Sequence, residues 1–312
     1  MSAYYPHKPI ASIESLAKTL DVTEAELLEV AQNSDSLFFV AKCVKKENGK
    51  VRVTYDARPA LKNIHDRIKI ALFRVVKYPF YLQGGISGRD YISNTKIHAG
   101  KKFLITEDVS NFFPSIQDSV VKKMWLYFFH FSPEVADVLT KLTTHNGFVP
   151  QGAKTSGYIA NLILWDKEPV LVEYLRKKGM SYSRLVDDIT ISCDYKPSKK
   201  LLASMISDVY GMLLSKDVKP NRGKHKIMTQ GEKQRIHNLN VDKGRPSLPK
   251  SKRADIRAAV FQCEEMAKYG RKTEEYNKLF NSTVGRVATM KRLHPTQATI
   301  LRNRLDMIKP KK

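Results

Sequence analysis

Leu185-Val186-Asp187-Asp188-Ile189-Thr190-Ile191 is the stretch whose reading decides the fold of this chain. Two short apolar runs flank an acidic pair, which reads as a strand, a tight turn at Asp187-Asp188 and a second strand. A hairpin turn selected for backbone geometry alone favours Asn-Gly or Asp-Gly, because those residues adopt positive φ at little cost. Adjacent aspartates lack that advantage and repel each other. A divalent cation explains the pair best, and hard oxygen ligands suit Mg²⁺. Working outward, Phe103-Leu104-Ile105-Thr106 is another strand-like run; it delivers Asp108, and Val109-Ser110-Asn111-Phe112-Phe113 follow. Acidic residues at two strand ends are the minimal equipment of a two-metal phosphoryl-transfer site.

Composition narrows the partner. The chain has 312 residues, enough for two or three subdomains around a substantial core. Its 54 Lys and Arg against 31 Asp and Glu leave a net charge of +23. That excess exceeds what solubility requires and points to a polyanion, with nucleic acid ahead of a merely basic surface. A membrane is not expected as a partner, since no long uncharged apolar segment or secretory signal pattern is present. Cys43, Cys193 and Cys263 are widely separated and odd in number, so neither a disulfide framework nor a zinc site is expected, and a reducing cytoplasm is the default.

Along the chain, Thr23 with Glu26 three residues on predicts a capping box for an N-terminal helix. Leu37 to Val40 and Val51 to Tyr55 flank Asn48-Gly49, a hairpin signature. The lysines and Arg52 on that hairpin read either as a solvated edge or as cations that grip phosphate. Residues 60–78 carry a helical pattern on Ile64, Ile68, Leu72 and Val75 or Val76. Ser115 and Asp118 predict a capping box ahead of Val121, Met124, Trp125 and Phe128, and the aromatics from Trp125 to Phe131 read as core. Thr155 or Ser156 is expected to cap the helix carrying Asn161, itself either a satisfied buried amide or a substrate contact. That helical pattern is interrupted at Pro169 and ends near Gly179. A further helix is expected over 198–215, then a basic turn at Asn221-Arg222-Gly223-Lys224. From residue 243 onward, eighteen basic residues face six acidic ones, with helical patterns over Ile256–Met266 and Ala298–Ile308. This reads as a helical subdomain holding a duplex by its phosphates, or as a solvated basic bundle.

In order, the chain carries Asp108-Val109-Ser110-Asn111-Phe112-Phe113, Pro150-Gln151-Gly152-Ala153, Leu185-Val186-Asp187-Asp188 and Lys224. Together these resemble the right-hand palm of a reverse transcriptase. Within that superfamily the chain is most similar to the bacterial retron reverse transcriptases, on its short length, the lack of an evident RNase H, maturase or endonuclease pattern, and Asn94-Thr95-Lys96-Ile97-His98, which resembles the retron Asn-Ala-x-x-His element. The resemblance spans roughly residues 35–245. The chain departs from the family at Leu185, where a Tyr is usual, at Lys154 and Gly157 where Pro is usual, at Thr95 where Ala is usual, and at Ile236-His237-Asn238 in place of a Val-Thr-Gly triplet linked to recognition of the cognate RNA.

The resemblance implies an α+β right-hand polymerase: a helical extension over 1–35, fingers over 36–100, a palm over 101–242 with an antiparallel sheet packed on helices and an interleaved fingers segment near 130–165, and a basic helical thumb over 243–312. It implies RNA-directed DNA synthesis with two Mg²⁺ ions about 3.5–4 Å apart. Asp108 and Asp187 would hold them, Asp188 would assist, and the Val109 carbonyl would add an oxygen. Lys224 would serve as cation or proton donor at the pyrophosphate. Lys50 and Arg52 are candidates for the triphosphate, Gln151 for the incoming nucleotide, and Gly152 for close backbone approach. Phe113 matches the position that excludes a ribonucleotide 2′-hydroxyl, with core packing as the other reading. Asn94, His98, Lys250, Lys252 and Arg253 are candidates for RNA contact, His98 equally for a buried structural role. The implied partners are a structured noncoding RNA that is both template and primer, deoxynucleoside triphosphates and an effector protein of an antiphage system; the implied product is a branched RNA–DNA. A group II intron or diversity-generating reverse transcriptase, or a decayed polymerase fold that only binds RNA, are the other readings.

Overall fold

The computed structural model describes residues 2–45, 49 and 51–311. The chain divides into two compact units, Met1–Ile97 with Phe103–Ile227, and His98–Lys102 with Met228–Lys312.

In the first unit, Phe103–Glu107 (here β3), Ser181–Leu185 (β4) and Asp188–Cys193 (β5) form an antiparallel sheet, preceded in the chain by the ribbon of Phe38–Lys45 (β1) and Val51–Ala57 (β2). The larger sheet runs β4-β5-β3 and continues to Lys226–Thr229 (β6), the strand within which the chain leaves this unit. β5 is buried along Ile189–Cys193 on both faces, and β3 is nearly so. Consecutive apolar and small residues, rather than strict alternation, are what such a doubly covered strand needs. Register fixes the chemistry: Thr106 faces Thr190, Glu107 faces Ile189, and Leu185 faces Asp188. Asp108 therefore emerges from β3 one step beyond Ile189, on the side of Asp188.

Helices pack around this sheet in one continuous core running from Ile10 to Val218. The residues expected as an N-terminal extension join it. Helices Ile13–Leu20 and Glu24–Gln32 bury Leu16, Leu20 and Leu27 in the cluster that holds Leu61, Ile64 and Ile68. Thr23 caps its helix as expected, its hydroxyl accepting from the Glu26 N–H at 3.1 Å. The 60–78 pattern forms an α-helix over Pro59–Ile68 and then a π-turn over Lys69–Phe73, which keeps Leu72 and Phe73 inside. Helix Lys199–Leu214 is capped by Ser198.

Three local expectations fail. Ser115 caps nothing downstream: it ends a short turn, Phe112–Ser115, and its hydroxyl donates back to the Phe112 carbonyl, while the next helix starts after Gln117 without a side-chain cap. Neither Thr155 nor Ser156 caps helix Ser156–Leu162; the Ser156 hydroxyl donates to the Pro150 carbonyl at 2.6 Å. Pro169 does not interrupt a helix but sits in the first turn of Glu168–Lys177, where its missing N–H costs nothing.

In the second unit, Arg235–Ile236 (β7) and Leu239–Asn240 (β8) form a minimal hairpin whose turn, His237-Asn238, has positive φ at both residues, as a two-residue hairpin of the favoured hand requires. Three helices follow, Lys250–Tyr269, Glu274–Lys291 and Pro295–Met307. Their core joins Val260, Cys263, Tyr276, Phe280, Val287, Met290, Ala298 and Leu305. The middle helix lay outside the sequence expectation. The compact boundary falls at 227/228, with residues 98–102 joining the C-terminal unit. No helix among the described residues is long and apolar enough to cross a membrane.

Candidate active site

The acidic pair sits on the expected hairpin, but one residue out of the expected phase. Leu185 and Asp188 form the closing pair, so the turn residues are Val186 and Asp187, and Asp188 is already the first residue of β5. Val186 takes φ +60°, a conformation that a β-branched side chain adopts only under compulsion. Gly84 lies against this turn so closely that a Cβ there would stand 2.5 Å from Val186 Cγ2 and 2.8 Å from its backbone nitrogen.

Asp108 is almost fully buried at the end of β3 and is held from the chain that precedes β6. The Asn221 N–H donates to its carbonyl at 2.7 Å, Asn221 Nδ2 to Oδ2 at 3.2 Å, and Lys224 Nζ to Oδ1 at 2.9 Å. Val109 bridges Pro220, but the bonds of that bridge come from the Asp108 carbonyl and the Ser110 N–H, so the Val109 carbonyl is not spent on it. The neighbouring Glu107 is buried, with His225 Nδ1 2.6 Å from Oε1 and the Tyr210 hydroxyl 3.4 Å from Oε2. Burial raises the Glu107 carboxyl despite its imidazole partner. The basic turn read from Asn221 to Lys224 is thus clamped on both sides of the strand end.

Electrostatics tie the three aspartates into one site. Burial and then the charge of Asp108 push Asp188 up to about 6. Burial, then Asp188 and Asp108, raise Asp187. Lys224 opposes both shifts, and its own pKa is raised first by its bond to Asp108. Three neighbouring carboxylates, of which Asp187 and Asp188 are raised by burial and by the negative charge beside them, with a lysine drawn in, have the donor chemistry that suits a hard divalent cation. Among the described residues, no three carboxylate, imidazole or thiol groups are already gathered as a ready-made cage. A cation would therefore have to draw them together.

The other expected residues separate. Gln151 and Gly152 do meet the β1–β2 ribbon: the Gln151 carbonyl accepts from the Tyr55 N–H at 2.8 Å. Gly152, at φ +113°, approaches so closely that a Cβ would sit 2.6 Å from the Tyr55 carbonyl oxygen. The close approach that this glycine allows is to the ribbon. Arg52 is exposed on β2, and Lys50 lies outside the described residues, as does Asn48 of the expected turn. Phe113 is half-buried, its ring 5.8 Å from that of the buried Phe112. Lys154, where proline is usual, pairs with Asp66, which also binds Lys69 at 2.5 Å. Those two ammonium groups bring Asp66 down to about 2, so an ionic tie stands where a rigid ring was expected. Lys250 and Lys252 are exposed at the start of their helix and Arg253 is half-buried.

Asn94 is fully buried, which corrects its expected place at an RNA surface, and His98, also fully buried, takes the structural of its two readings. Burial, with His237 and Lys101 nearby, lowers His98 to about 3, so it is a neutral interior imidazole. Asn161 is half of a satisfied buried amide: its Nδ2 donates to the Gly84 carbonyl at 2.6 Å and so braces the loop that touches the hairpin turn, while its Oδ1 is buried without a hydrogen-bond partner among the described residues.

Sequence reading passed over Arg184 altogether. It is fully buried beside an equally buried Glu168, a pairing whose only sequence signal was a charge inside a strand that had to be covered.

Comparison with known proteins then fixes the family. No family model matches the chain. The retron Se72 reverse transcriptase of Salmonella heidelberg is 37% identical over 305 residues, covering 97% of this chain and 80% of that protein. The chain belongs to the retron reverse transcriptases. The retron Ec48 reverse transcriptase of Escherichia coli is 33% identical, over 97% of this chain and 77% of its own length. Telomerase from Candida albicans, solved with a fragment of telomeric RNA, aligns with a TM-score of 0.43 at 11% identity over 78% of this chain and 47% of that one, too slight a likeness to add to the argument. Membership makes this retron reverse transcriptase an RNA-directed DNA polymerase and sets aside the reading of a fold that only binds RNA.

Proposed function

We propose that this enzyme copies a structured noncoding RNA of its own retron into DNA, priming on a 2′-hydroxyl to give a branched RNA–DNA, within an antiphage system that includes an effector protein. The observation that carries the polymerase chemistry is the convergence of Asp108, Asp187 and Asp188 at neighbouring strand ends, with Lys224 bonded to Asp108. The named relatives support the retron setting.

Asp108, Asp187 and Asp188 would hold two Mg²⁺ ions, with the Val109 carbonyl as a further oxygen. The chemistry supplied by bound Mg²⁺ is a lowered pKa for the attacking hydroxyl and neutralised charge on the leaving pyrophosphate. Lys224, bonded to Asp108, would offer its ammonium to the leaving pyrophosphate as cation or proton donor. Arg52, exposed on β2, would contact the triphosphate, and Lys50 is the second candidate for it. Gln151 touches the incoming nucleotide, held in place by the bond of its carbonyl to Tyr55. Phe113 would exclude a ribonucleotide by crowding its 2′-hydroxyl. Lys250, Lys252 and Arg253 take phosphates of the nucleic acid, replacing condensed counterions.

The test is primer extension by purified protein with its cognate RNA, Mg²⁺ and deoxynucleotides. Asp187→Asn with Asp188→Asn stops synthesis while RNA stays bound; synthesis surviving in that double variant refutes the site. Debranching and sequencing of copurified nucleic acid reads the priming. A 2′,5′-linked species is expected, and plain RNA refutes the branched product. Loss of phage protection in cells carrying the double variant tests the defence role.

A further inference from the structure

The guanidinium of Arg184 has five N–H groups, and each one has an acceptor. Nε donates to Glu168 Oε1 at 2.6 Å and Nη2 to Glu168 Oε2 at 2.8 Å, the parallel two-bond pairing of a carboxylate with an arginine. Nη2 also donates to the Asn161 carbonyl at 2.9 Å, and Nη1 to the carbonyls of Ala160 at 2.9 Å and Val186 at 3.0 Å. The Tyr182 hydroxyl donates to Glu168 Oε1 at 2.7 Å, which completes that carboxylate. A charge this deep is tolerated only when paired and bonded throughout, and here it is.

Those bonds run to a meaningful place. Val186 is the strained residue of the hairpin turn, and Asp187 follows it directly. Its carbonyl is gripped by Arg184, while its other side rests on Gly84, whose own carbonyl is held by Asn161. The backbone of Arg184 is also pinned on both edges: it pairs with Ile189 in β5, and it exchanges bonds of 2.8 Å with the Tyr81 carbonyl and the Gln83 N–H. A turn residue in the left-handed region returns to extended backbone unless its surroundings over-determine it. Arg184 supplies that constraint from within the protein.

We propose that Arg184 is the positioning residue of the catalytic hairpin: through the Val186 carbonyl, and with Glu168 as its buried counter-charge, it holds the left-handed turn that presents Asp187 and Asp188 to metal. This rests on the reading of the aspartates as metal ligands.

The experiment measures the Mg²⁺ dependence of primer extension for Arg184→Lys, which keeps the charge but cannot reach five acceptor oxygens with three donors. The half-saturating Mg²⁺ concentration rises about tenfold, or about 1.4 kcal/mol, while the KM for template–primer and the affinity for RNA stay at wild-type values. A merely structural role lowers the melting temperature and the active fraction but leaves the Mg²⁺ midpoint in place; that result overturns the proposal. If Arg184→Lys does not fold, Tyr182→Phe, which removes a single hydroxyl from the network, is read the same way: a raised Mg²⁺ midpoint supports the proposal and an unchanged one overturns it. Asp187→Asn with Asp188→Asn is the companion control. Synthesis surviving there condemns the metal-site reading, whereas its loss beside an unmoved midpoint in the Arg184 or Tyr182 variant condemns this inference alone.

Discussion

Removing Glu168 should unfold the first compact unit far more readily than its single position suggests. In Glu168→Ala the guanidinium of Arg184 stays buried with Nε and one Nη2 hydrogen unpaired, and the Tyr182 hydroxyl loses its acceptor. Breaking a buried ion pair by deleting one partner costs about 3–5 kcal/mol, because the remaining charge is uncompensated. For a folded unit of this size each kcal/mol moves the midpoint by about 2–4 °C. The melting temperature should therefore fall by about 6–20 °C. Tyr182→Phe is the internal reference: it removes one bond to the same carboxylate and strands no charge, so it costs about 1 kcal/mol. The two variants should be non-additive, since Glu168→Ala already abolishes the bond that Tyr182→Phe removes. Differential scanning calorimetry and urea unfolding of wild type, both single variants and the double variant supply the comparison. A Glu168→Ala cost no larger than that of Tyr182→Phe would refute the claim that the pair is an interlocked buried charge.

Two further outcomes follow from the site. Asp188 has a folded pKa raised from 3.8 to about 6, so the metal-free protein gains stability from its protonated form at low pH and loses it as pH rises through about 6. Asp188→Asn should accordingly raise the melting temperature of metal-free protein at pH 7.5, with the gain shrinking as pH falls toward 4; a gain that grows on acidification contradicts the assigned shift. At Gly152, positive φ and the 2.6 Å approach to the Tyr55 carbonyl leave no room for a methyl. Gly152→Ala should destabilise by about 1–3 kcal/mol and speed hydrogen exchange at the Tyr55 amide, and an exchange rate equal to wild type would show that the ribbon is not tied there.

Much of this protein is legible locally. Capping placed the helix that starts at Thr23, because a hydroxyl and the N–H it accepts from lie three residues apart in the chain, and the helix expected over 198–215 forms as Lys199–Leu214. The same logic failed at Ser115 and Ser156, whose hydroxyls donate to carbonyls the folded chain brings near, and at Thr155, whose hydroxyl is buried without a hydrogen-bond partner among the described residues. The acidic pair announced a hairpin, but its register was decided by pairing across β5, which moved Val186 into the turn and Asp188 into the strand. Phase along a strand is a two-residue matter, and only the partner strand settles it.

Charge and the order of motifs along the chain thus determined by themselves that this is a basic reverse-transcriptase-like protein with carboxylates at two strand ends. The tertiary structure alone decided what those carboxylates feel and what holds them. Lys224 reaches Asp108 across 116 positions of sequence, and Arg184 finds Glu168 across sixteen. Neither distance leaves a periodic trace, since a buried charge is made tolerable by whichever acceptors the fold brings to it. The same reason took Asn94, polar in the sequence and expected outside, into the interior, and decided between the two readings of His98.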